Sequence, residues 1–174
     1  MYLISVYFDS STNKKLQHYI DRIAEISGND FMISHKVPPH MTISAIEARS
    51  AEVILPYFEK LQQTLTQGEI QIMSIGQLLP YVFYAAPVLS EYLSNLMQQV
   101  YDGVKGIANT TISKYYRPHS WMPHITLGKT LEKEQMLRAL EAMQTHFSPM
   151  RACVKEIGLA KVNPHEDVAR YTMR

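Results

Sequence analysis

The 174 residues include a single cysteine, so no internal disulfide can form and no thiol-rich zinc site can be assembled. That residue, Cys153 in RACVKEIGLA, reads as a buried small apolar side chain, and such sparing thiol use suits a reducing compartment. Charge of one sign is also missing. Seventeen basic and sixteen acidic side chains leave a formal net charge of +1, which excludes a global field suited to gripping long nucleic acid through many phosphates. A nucleic-acid ligand, if there is one, should be small or held at one end. Long apolar runs are absent too: nothing approaches the ~20 residues of a membrane span, and the opening MYLISVYFDS has no basic leader. The expectation is a soluble, cytoplasmic, monomeric protein. No low-complexity tract or flexible linker interrupts the chain, and at 46% apolar content it can bury a sizeable core.

What is present falls into two similar halves. YLISVYF, Tyr2 to Phe8, alternates β-branched and aromatic residues and predicts a strand. A helix follows with Leu16, Tyr19, Ile20, Ile23 and Ala24 inward, Thr12 as its cap and Gly28 as its stop. HMTISAIE reads as a second strand, residues 50–65 as a helix that Pro56 must kink or delay, and Glu69 to Leu78 as a third strand. The order then restarts. Tyr81 to Val88 is a strand in which Tyr81, Phe83 and Tyr84 should alternate between core and cleft, with at most one or two touching a ligand. Next come a helix striped by Leu93, Leu96, Met97, Val100 and Val104, and the strand MPHITLGKT. A helix over Glu132 to His146 has Met136, Leu137, Leu140 and Met143 inward; the strand RACVKEIGLAKV, the turn NPHED and the strand VARYTMR close the chain. The fold class is therefore α+β. It is a two-lobed internal duplication of strand-helix-strand-helix-strand units, about residues 1–79 and 80–174, with mostly antiparallel sheets facing a central cleft.

The duplication carries a motif. Pro39-His40-Met41-Thr42-Ile43 recurs as Pro123-His124-Ile125-Thr126-Leu127, 84 positions later. Seven histidines and ten threonines in a chain of this length give roughly 0.4 chance occurrences of His-x-Thr, and about 0.02 once a preceding proline is required. Residues i and i+2 of a strand share a face, so His40 and Thr42 point one way, as do His124 and Thr126, with aliphatic anchors behind them. Proline cannot donate to a ladder and suits the start of a strand, which puts each histidine at a strand end where a cleft can open. Two imidazoles in one cleft can divide the acid and base roles of a phosphodiester cleavage, while two threonine hydroxyls hold the phosphoryl oxygens.

The doubled H-x-T-h pattern resembles the 2H phosphoesterase superfamily, which includes 2′-5′ RNA ligase-like proteins and cyclic nucleotide phosphodiesterases. The resemblance extends over essentially the whole chain. It implies metal-independent opening, or reversible formation, of a phosphodiester at a ribose 2′ position, with His40 and His124 as acid and base and Thr42 and Thr126 as phosphate ligands. The leading expectation is hydrolysis of a 2′,3′-cyclic or 2′-5′-linked nucleotide without a cofactor. ATP-independent RNA end joining is the same chemistry reversed, and a nucleotide or RNA-end binding module without turnover is the alternative from another class.

Other aromatic and histidine positions are less telling. Tyr115, Tyr116, Arg117 and Trp121, in KYYRPHSW, could border the cleft and stack on a base, or could be a solvated loop with its aromatics tucked inward. His35 and His119 fall on the opposite face or in the preceding loops. His18, His146 and His165 read as surface residues. A zinc site built from His35, His40, His119 and His124 is disfavoured, since threonine at i+2 does nothing for zinc and both motifs lack carboxylates.

Overall fold

The computed structural model describes residues 1–162 and 164–174. Its strands are β1 (Tyr2–Phe8), β2 (Met41–Glu47), β3 (Gly68–Leu78), β4 (Val82–Pro87), β5 (Thr111–Ile112), β6 (Ile125–Gly128), β7 (Met150–Lys161) and β8 (Glu166–Thr172). The helices are α1 (Ser10–Ser27), α2 (Phe31–Ser34), α3 (Leu55–Gln62), α4 (Glu91–Val104) and α5 (Lys133–His146). No described helix is long and apolar enough to cross a membrane.

Local chemistry sets the ends of these elements. Gly28, at φ 74°, ends α1 in the left-handed conformation that a side chain rarely tolerates. The expected cap moves: Asp9, not Thr12, caps α1, its carboxylate accepting from the Thr12 N–H at 3.0 Å and the Thr12 hydroxyl at 2.6 Å. Thr12 is the residue being capped. Pro56 marks a late start, since a short 3₁₀ turn at Ala51–Val53 precedes α3 and the proline occupies its first turn, where no intrahelical donor is needed. Ser90 caps α4, and Glu132 with Gln135 forms a capping box on α5. On α5, Met136, Ala139 and Met143 are buried but Leu137 is 56% exposed, a correction to the expected stripe. It lies one position from Met136, about 100° round the helix, and faces away from the core.

All eight strands join one antiparallel sheet in the order β1-β2-β6-β4-β3-β7-β8, with β5 on β2. An additional β1–β7 pairing links the ends of this path, and β1–β7, β3–β4 and β3–β7 all join the first half of the chain to the second. The two lobes thus share one sheet. Their motif strands are neighbours, with Met41 paired to Ile125. One face of this junction is core: Met41, Ile43, Ile125 and Leu127 are fully buried, and α1 packs there against β6 and α5. The opposite face of the same residues is free to hold the site.

Candidate functional site

Around the Met41–Ile125 pair the two strands run antiparallel, so continuing the register by one residue either way sets His40 opposite Thr126 and Thr42 opposite His124. The four motif side chains therefore form two cross-strand His/Thr pairs about a local two-fold axis. All four line one cavity of about 590 Å³.

Both imidazoles are held the same way. Each strand begins one residue after its histidine, and each histidine places Nδ1 on the carbonyl two residues back: 2.8 Å from Pro38 O for His40, 2.9 Å from Met122 O for His124. A carbonyl only accepts, so Nδ1 carries the proton in the neutral ring and Nε2 keeps its lone pair. Burial pushes the His40 pKa down; the Pro38 carbonyl opposes this, while His165, His124 and Lys129 add to it. Tyr84 packs edge-on to His124, with ring centroids 5.7 Å apart.

The threonines differ from each other. Thr42 Oγ1 lies 3.3 Å from Ser5 Oγ on β1, and its carbonyl accepts from Trp121 Nε1 at 3.0 Å. Burial raises the Tyr116 phenol pKa, and a hydrogen bond to Thr42 opposes that rise. Thr126 is half-buried, with Tyr84 as its β4 partner.

Of the four residues expected at the rim, only Tyr116 lines the cavity. Trp121 is buried at 8% exposure and acts as a brace beneath β2. Tyr115 and Arg117 are exposed, and neither lines the cavity. His35 does line it, stacked on Phe31 at 4.0 Å, whereas His119 lies outside, in the exposed loop. The surface placement of His165 is corrected by the structure. Its side chain is 17% exposed and lines the cavity, its ring 6.5 Å from His40. The β7–β8 connection carries it in, Val162 and Pro164 lining the cavity beside it; Asn163, in the expected NPHED turn, lies outside the described residues. Pro164-His165 repeats the Pro-His dipeptide of both motifs, but so does Pro118-His119 outside the cavity, so the dipeptide does not single out His165. Ser5, the one aliphatic hydroxyl of β1, was the visible mark of a polar partner for Thr42.

Apolar residues wall the rest of the cavity, among them Leu3, Met32, Val37, Val82 and Val162, and Lys129 stands with its ammonium 5.5 Å from the Phe31 ring. No carboxylate lines it among the described residues, and these contain no cluster of three His, Cys, Asp or Glu side chains able to hold a metal. Cys153 is half-buried on β7, its N–H donating to Asp9 at 3.0 Å, and does not line the cavity.

Two H-x-T strands joined at the centre of one antiparallel α+β sheet define the architecture of a 2H-type phosphoesterase. The model of the 2′-5′ RNA ligase superfamily matches residues 12–166, and the chain belongs to that family. Among solved structures, it is similar to E. coli LigT complexed with 3′-AMP, with a TM-score of 0.67 at 14% identity over 99% of this chain and 97% of that one. TT0787 of Thermus thermophilus gives 0.67 at 16% identity over 99% and 97%. At these identities the likeness is one of fold. No curated protein sequence matches.

Proposed function

We propose that the protein cleaves a small 2′,3′-cyclic or 2′-5′-linked nucleotide phosphodiester by metal-independent catalysis, with His40 and His124 as acid and base and Thr42 and Thr126 as phosphoryl ligands. The observation that carries this is the pair of cross-strand His/Thr sets facing one cavity, each imidazole with its Nδ1–H committed to a main-chain carbonyl. Family membership supports it, and so does the nucleotide-sized ligand of a fold relative, E. coli LigT with 3′-AMP. A cavity of about 590 Å³ suits a mononucleotide, within the roughly 300–1,000 Å³ usual for small-ligand sites.

In the hydrolytic direction, a neutral imidazole takes a proton from water through Nε2 as the oxygen attacks phosphorus. The bond from phosphorus to a ribose oxygen breaks, and the protonated imidazole gives its Nε2 proton to that oxygen. One water is consumed, one monoester and one alcohol form, and a proton exchange with solvent resets the pair. The threonine hydroxyls donate to the non-bridging oxygens as charge develops. With a ribose 5′-hydroxyl in place of water, the same parts open a 2′,3′-cyclic phosphate: the base takes the hydroxyl proton, the bond from phosphorus to O3′ breaks with its oxygen protonated by the acid, and a 2′-5′ bond forms. The near-neutral net charge and single cavity lysine favour a small nucleotide or an RNA end over long RNA, with the protein acting as a cytoplasmic monomer.

A phosphorus NMR screen of 2′,3′-cyclic nucleotides and 2′-5′ dinucleotides, run with chelator in both directions, tests the proposal. Turnover in chelator that disappears in His40→Ala and His124→Ala, with folding intact, is expected. Turnover abolished by chelator, or surviving in either variant, would sink it.

A further inference from the structure

Two motif strands related by a local two-fold axis offer two nearly equivalent histidines, and a reaction that needs one base and one acid must distinguish them. The structure supplies a distinguishing residue. Continuing the β1–β2 register places Tyr7 opposite His40, and the rings lie 6.3 Å apart; continuing β4–β6 places Ala86 opposite His124. On the open side of His40 stands His165, with ring centroids 6.5 Å apart. The ring beside His124 is that of Tyr84, at 5.7 Å.

We propose that His165 is a positioning residue that makes the two motif histidines unequal, so that His40 takes the proton from the nucleophile and His124 delivers one to the leaving oxygen. This rests on the phosphoesterase reading above.

His165 is placed for an electrostatic task rather than for packing alone. Its Nε2 is fully buried and has no hydrogen-bond partner, yet lies 3.3 Å from Asp167 Oδ1, so a protonated His165 has its counter-ion beside it. An imidazolium there, only partly offset by the half-exposed carboxylate of Asp167, would oppose a second positive charge on His40, whose ring centroid lies 6.5 Å away. The other groups around His40 act in known senses. Lys129 and His124, from either end of β6, also disfavour a charged His40. On the far side, Tyr7 is held as a neutral phenol, its pKa pushed up to about 12 by burial, with Asp167 and Glu156 adding to the rise and Arg170 opposing it. Arg170 is itself paired with Glu156 at 2.7 Å and covers the Tyr7 ring at 3.6 Å, which leaves the pair close to neutral as seen from His40. His35 and Tyr116 complete the titratable lining. His40 is thus surrounded by groups that keep it neutral and ready to accept a proton.

The test is an NMR titration of the histidine rings in the full chain, alongside pH profiles of kcat/KM, for wild type, His165→Gln and His165→Lys. In the Gln variant the His40 midpoint should rise by about 0.5 to 1 pH unit, the Coulomb effect of two unit charges 6.5 Å apart at an effective dielectric of roughly 40 to 80. The acid limb of kcat/KM should rise with it. His165→Lys keeps a cation and should leave both low. An unmoved His40 midpoint in His165→Gln, equal shifts in the Gln and Lys variants, or an acid limb that does not follow His40 would overturn the proposal. A midpoint that moves as expected in a protein with no phosphodiester turnover would overturn the phosphoesterase reading while upholding the coupling of His165 to His40.

Discussion

A leaving group that needs no proton should separate the two histidines. Each Nδ1–H is committed to a carbonyl, so each ring can exchange a proton with substrate only through Nε2, and removing a ring removes that exchange completely. General acid or base assistance of this kind is worth about 10²–10⁴-fold. On a 2′,3′-cyclic nucleotide, whose leaving oxygen is a ribose alkoxide, His40→Ala and His124→Ala should both lose rate by about that factor. On a nucleoside nitrophenyl phosphodiester, nitrophenolate departs unaided. There His124→Ala should recover to within about tenfold of wild type, while His40→Ala stays about 10²-fold or more down, because attack by water still needs a base. Release of nitrophenolate is followed by absorbance, and that of the cyclic substrate by chromatography. Alanine opens space in the wall but leaves Met41 and Ile125 paired in the core, so circular dichroism should be unchanged. Equal losses in both variants on both substrates would refute the division of roles, and recovery of His40→Ala in place of His124→Ala would reverse it.

Further outcomes follow from the same structure. Asp9→Ala should lower stability by about 2 kcal/mol, roughly one for the α1 cap and one for the Cys153 N–H left unpaired, measured by urea unfolding. Although burial alone would raise it, the donors from Thr12, Cys153 and Ser11 hold the Asp9 pKa below its usual value. Its contribution is therefore full above the unfolded value of about 3.9 and fades as pH falls through the lower folded value. His40, half-buried and with its pKa lowered by desolvation, binds its proton less readily folded than unfolded, so stability should rise with pH through the range below about 6.5. His40→Gln should flatten that part of a Tm-versus-pH curve. Leu137→Lys should change stability by less than about 0.5 kcal/mol, since this leucine already faces solvent; a loss of about 2 kcal/mol or more would place it in the core.

The site was legible in the sequence because its chemistry is written in local spacing. A period-two strand puts histidine and threonine on one face whatever the rest of the fold does, and the β2–β6 junction then needs only an antiparallel register to join the halves. Strong periodicity located its elements: β1 has its expected bounds, α1 stops at Gly28 as expected, and the α4 stripe Leu93, Leu96, Met97, Val100 and Val104 is buried throughout. The short pieces, α2 and β5, leave no such mark, because four and two residues carry no period and are held by tertiary contacts. The approach of His165 to His40 spans 125 positions and depends on where the β7–β8 connection lies, which no local pattern specifies. The rim failed for the opposite reason: KYYRPHSW mixes the residue types of a binding loop, but only Tyr116 is turned to the cavity, and Trp121 is used to hold the Thr42 carbonyl.

The central claim, one acid and one base acting on one phosphodiester, is tested most directly by the pH dependence of kcat/KM for a 2′,3′-cyclic nucleotide in wild type, His40→Ala and His124→Ala. The wild type should give a bell around neutral pH. His40→Ala should lose the acid limb and His124→Ala the alkaline limb, each at a rate lowered by about 10²-fold or more. A wild-type rate that rises monotonically with pH, or a bell that persists intact in either variant, would contradict it.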